Sequence, residues 1–84
     1  MSQEKLVFIV DEDTTASAGL AKSLRRLGCD ARPIADAQTA FDAALQRLPD
    51  LLIASAGAGL DGFALCDRIR GDTRVFAVPI VLLT

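Results

Sequence analysis

Four short strand-like runs, separated by three segments of helical period, constrain this chain more than any other feature of it. Leu6-Val7-Phe8-Ile9-Val10 is continuously apolar and rich in β-branched and aromatic side chains. Such a run suits a strand covered on both faces, the setting of a parallel sheet. Cys29 to Ile34 reads as a second, shorter strand, and Pro33 near its end predicts an edge position, where a missing donor does no harm. Leu51 to Ala54 reads as a fully apolar central strand, and Val78 to Thr84 as another buried strand. Between them, Ala16, Leu20, Leu24 and Leu27 recur at helical spacing, as do Ala40, Phe41, Ala44, Leu45 and Leu48. Phe63, Leu65, Cys66 and Ile69 predict the buried side of a third helix.

Local punctuation agrees with this division. Asp13 or Thr14 can cap the first helix, Asp36 the second and Asp61 the third. Lys22, Arg25 and Arg26 suit the negative end of the first helix dipole. Gly28 is placed to end that helix in a left-handed conformation, Pro49 to stop the second, and the third ends near Gly71. The resulting order, βαβαβαβ, implies right-handed crossovers and a parallel sheet within one α/β domain covering residues 1–84. No internal repeat or linker interrupts it.

Composition removes several classes of function. The chain has 84 residues and a formal net charge of −2, without a basic block, which argues against a nucleic-acid surface or attraction to anionic lipid. No apolar run approaches the roughly 20 residues of a membrane helix. The N-terminus, Met1-Ser2-Gln3-Glu4-Lys5, lacks the layout of a signal peptide. Cys29 and Cys66 have no CxxC spacing, and the reading is two buried, reduced thiols in a cytoplasmic protein. Histidine is absent, so there is no Ser-His or Cys-His catalytic pair and no phosphohistidine.

Val10-Asp11-Glu12-Asp13, Leu27-Gly28, Pro49-Asp50-Leu51-Leu52-Ile53, Leu60-Asp61-Gly62-Phe63 and Val78-Pro79-Ile80-Val81-Leu82-Leu83-Thr84 follow one another in an order and spacing that resembles the receiver domains of two-component response regulators. The resemblance runs over essentially the whole chain. It implies a flavodoxin-like (CheY-like) parallel sheet of strand order 2-1-3-4-5, here without the last strand and the last two helices. In that family an aspartate after the third strand accepts a phosphoryl group. Two acidic residues after the first strand help hold Mg²⁺, and a hydroxyl after the fourth strand and a lysine after the fifth contact the phosphoryl oxygens. By position, Asp11 and Glu12 match the acidic pair and Thr84 the switch hydroxyl.

The nucleophile position falls on Ser55 when counted from Pro49-Asp50 and on Ala54 when counted back from Asp61-Gly62, because the intervening loop is one residue short. Neither is a carboxylate. A serine hydroxyl without a base is a weak nucleophile, and Ser55 reads as a small polar loop residue. Without the third carboxylate, Asp11 and Glu12 are expected to bind Mg²⁺ weakly at most and to remain solvated. The resemblance therefore implies a phosphorylation-independent protein-interaction module of a bacterial response-regulator-type protein, without enzymatic activity.

A rival pattern lies in the same loop. Gly57-Ala58-Gly59-Leu60-Asp61-Gly62 satisfies GxGxxG between a strand and a helix, the setting of a dinucleotide-binding fingerprint. The alternative reading is thus a nucleotide-binding α/β domain using Gly57, Gly59 and Gly62. Against it, the acidic residue expected roughly 20 positions later is missing, and Asp61 puts negative charge where a pyrophosphate would lie. A third reading is a structural fragment without a functional surface. In the 2-1-3-4-5 order the run Ile80 to Leu83 ends at an open sheet edge, so self-association through the fourth strand is expected.

Overall fold

A computed structural model describes residues 4–55 and 62–83. The elements are β1 (Leu6–Val10), α1 (Thr14–Arg26), β2 (Asp30–Ile34), α2 (Ala37–Gln46), β3 (Leu51–Ser55), α3 (Gly62–Arg70) and β4 (Ile80–Leu83). All the strand pairings are parallel, and the order is β2-β1-β3-β4. The alternating sequence thus folds as a parallel α/β sheet with β1 and β3 inside and β2, with its Pro33, on an edge. Leu6 to Val10 are all buried, which explains the unbroken apolar run: β1 has helices on both of its faces.

The two faces divide by residue parity, as strand geometry requires. Leu6, Phe8, Val10, Leu52 and Ala54 pack with Ala40, Phe41 and Ala44 of α2 and Leu65 and Ile69 of α3. Val7, Ile9 and Ala31 pack with Ala21 of α1, and Leu20, Leu24, Leu51 and Ile53 close around them.

Asp13 is the cap of α1: its carboxylate accepts from the amides of Thr15 and Ala16. Asp36 caps α2 by accepting from the Thr39 amide and hydroxyl. Gly28 has φ +92°. Its amide donates to the Arg25 carbonyl and that of Cys29 to Leu24, the two bonds of a Schellman motif.

Several side chains depart from the sequence expectation, each for a local reason. In α1 the buried stripe is Ser17, Ala21 and the half-buried Leu20 and Leu24, while Ala16 is exposed. Leu27 is 80% exposed because it caps the helix and has left its apolar face. Leu48 is exposed because α2 ends at Gln46 and Arg47 is already extended, so helical spacing no longer applies to it. Phe63 is exposed too, and α3 buries Gly62, Leu65 and Ile69 instead. Cys29 and Cys66 are half-buried free thiols rather than buried ones.

The fourth strand is shorter than its apolar run and is not a buried one. Ile80 and Leu82 are half-buried against the core, whereas Val81 and Leu83 point to the other face and stay 44% and 48% exposed. The preceding residues instead form a turn that buries Val75 and Val78.

Candidate functional site

Parallel strands deliver their last residues to one end of the sheet, and the candidate site lies there. β1 and β3 run in register with Val10 opposite Ala54. One residue further along, the two strands lead to Asp11 and Ser55. The side chains at these neighbouring positions settle which residue stands at the mouth of the sheet. Ala54 is fully buried in the core beside Leu52 and Val10. Ser55 is the half-buried last residue of β3, paired with Leu83 of β4.

The acidic cluster is organised largely by the backbone. The Asp11 amide donates to the Ile34 carbonyl at 3.0 Å, which anchors the end of β1 to the end of β2. Asp11 Oδ1 accepts from the Asp13 amide at 2.9 Å, and Asp13 Oδ1 accepts from Thr15 and Ala16 at 3.1 Å each. Two of the three carboxylates thus hold the turn into α1 and its first helical amides. Among the described residues, no group of three or more His, Cys, Asp or Glu side chains converges as a metal site. Mg²⁺ wants near-octahedral oxygen ligation. Among the described residues at this end, Asp11 has one oxygen engaged by the Asp13 amide and Glu12 is exposed.

Charge at this end is one-sided. Among the described residues, the segments 11–13 and 34–36 and the end of β3 at Ser55 contain no Lys or Arg. Asp36, at the same end, has its carboxyl held below the usual range, first by the Thr39 amide and then by its hydroxyl.

Gly62 is explained by packing. A Cβ built on it would lie 2.7 Å from the Ser55 carbonyl oxygen and 3.2 Å from Leu82 Cδ2. The first turn of α3 therefore rests directly on the end of β3, an approach open only to glycine. Gly57 and Gly59 of the same pattern, with Asp61 and Thr84, lie outside the described residues.

Sequence reasoning missed the polar ties that hold the frame. Asp50 Oδ2 accepts from the Leu6 amide at 2.7 Å, and the Asp50 amide donates to the Leu6 carbonyl at 2.7 Å. This pair locks the start of β3 to the start of β1. Arg70 donates from Nη1 to the carbonyls of Phe76 and Val78 at 2.6 and 2.7 Å, fixing the turn that leads into β4. Arg25 donates from Nε and Nη2 to the Ala31 carbonyl. Arg68 stacks 4.2 Å above the Phe41 ring and donates to Gln38, tying α3 to α2. A carboxylate directly after Pro49, at the mouth of a strand, was the one available signal. Arg25 and Arg70 gave none, because their partners are backbone carbonyls.

A four-stranded parallel sheet of order 2-1-3-4 with its acidic turn at the carboxyl end defines this chain as a receiver-like domain of the response-regulator type, a module of two-component signalling. It is similar to a chain described as a response regulator from Chloroflexus aurantiacus J-10-fl, with 32% identity and a TM-score of 0.87 over 95% of this chain and 66% of that one. The signal receiver domain of a histidine kinase from Syntrophus aciditrophicus matches at 26% identity and a TM-score of 0.86, over 95% of this chain and 61% of that one. Among curated proteins, the DNA-binding dual master transcriptional regulator RpaA of Synechocystis is 30% identical over 79 residues, 93% of this chain. The chain spans 33% of that relative's length. No family model matches the chain. Among the described residues, no helix is long and apolar enough to cross a membrane.

Proposed function

We propose that this receiver-like domain, residues 1–84, works as a phosphorylation-independent, non-enzymatic protein-contact module in the cytoplasm. The observation that carries the reading is the occupant of the position beside Asp11 at the end of β3: Ser55, with Ala54 sealed in the core behind it. A hydroxyl there has no histidine to serve as base and no carboxylate chemistry of its own. Asp11 and Glu12 make at most a weak, water-mediated contact with Mg²⁺ in this account, and no dedicated cofactor is required.

The partner in this reading is a protein, and one partner is a second copy of the chain through β4. Among the described strands, the two outermost differ in a way that supports this. β2 carries Pro33 and an Asp30–Arg32 ion pair at 3.0 Å, both of which discourage strand addition. β4, Ile80-Val81-Leu82-Leu83, carries no charge, no proline and two exposed apolar side chains. Light scattering and sedimentation of the chain at rising concentration test this part: association that Val81→Lys weakens is expected, and a monomer at high concentration contradicts it. The phosphorylation-independent part has its own test, incubation with acetyl phosphate or beryllofluoride and Mg²⁺. No covalent phosphate and no change of state are expected.

A further inference from the structure

We draw no further inference here: the strongest candidate, the apolar groove at the amino end of the sheet between Leu48 and Phe76, has nothing in the structure to show what covers it.

Discussion

Adding one methyl group to Gly62 separates the two explanations of the loop glycines. In the structure that methyl would sit 2.7 Å from a backbone oxygen of β3 and 3.2 Å from Leu82 Cδ2. The leucine can turn aside, but the Ser55 carbonyl belongs to the sheet, so α3 must lift from β3. Overpacking of this kind costs about 1–3 kcal/mol. At 4–8 °C per kcal/mol for a domain of this size, Gly62→Ala is expected to lower the melting temperature by roughly 4–24 °C. Gly19→Ala is the internal control. Gly19 lies within α1, is exposed, and a Cβ there meets nothing within 4 Å. That change is expected to stabilise by about 0.5–1 kcal/mol, because alanine loses less backbone freedom in a helix. Urea titrations of the wild type and both variants, followed by far-UV circular dichroism, give the comparison directly. Equal stabilisation by the two substitutions would refute the packing argument. Saturable NAD or ATP binding that Gly62→Ala abolishes at unchanged stability would restore the nucleotide-loop reading.

Other expectations follow from the polar frame. Asp50→Ala removes the acceptor of the Leu6 amide and is expected to cost about 1–3 kcal/mol in urea midpoint measurements, more than an ordinary surface substitution. Asp13→Ala removes the α1 cap and is expected to cost about 0.5–2 kcal/mol, with increased amide exchange confined to the first turn of α1. Stability is also expected to depend on acid pH. Asp72 is held down to about 2 by its hydrogen bonds from Arg74, and Asp36 is lowered by Thr39. Both carboxyls ionise more readily folded than unfolded, so their contribution is complete above the unfolded value of 3.8 and fades as pH falls toward 2. Urea midpoints measured across that window should drop, and Asp72→Asn should flatten the drop.

The strands and helices were legible because each carried its own period and its own stop. Asp36, Gly28 and the unbroken run of β1 all behave as their local chemistry requires. Leu27, Leu48 and Phe63 were misread for a common reason: a helical repeat does not say where the helix ends or how much of its face the sheet covers. The apolar character of Val78 suits a strand, whereas Arg70 holds its carbonyl in the turn before β4. At the site, the strand register places Ser55 rather than Ala54 at the end of β3 beside Asp11. Counting from two flanking motifs left both positions open, because the loop between them is one residue short. Gly62 was legible as a glycine with a purpose, but its purpose depends on the Ser55 carbonyl, a backbone atom that no side-chain pattern reveals.

In the proposed function, the position at the end of β3 does not take up a phosphoryl group. The most direct measurement is intact-mass spectrometry and ¹⁵N–¹H spectroscopy of the chain with Mg²⁺ and acetyl phosphate, then with beryllofluoride. An unchanged mass is expected, with unchanged amide resonances around Asp11 and Ser55 beyond the small shifts that weak Mg²⁺ binding alone produces. Stoichiometric phosphate on Ser55, or a saturable beryllofluoride-dependent change spreading through β3 and β4, would contradict it.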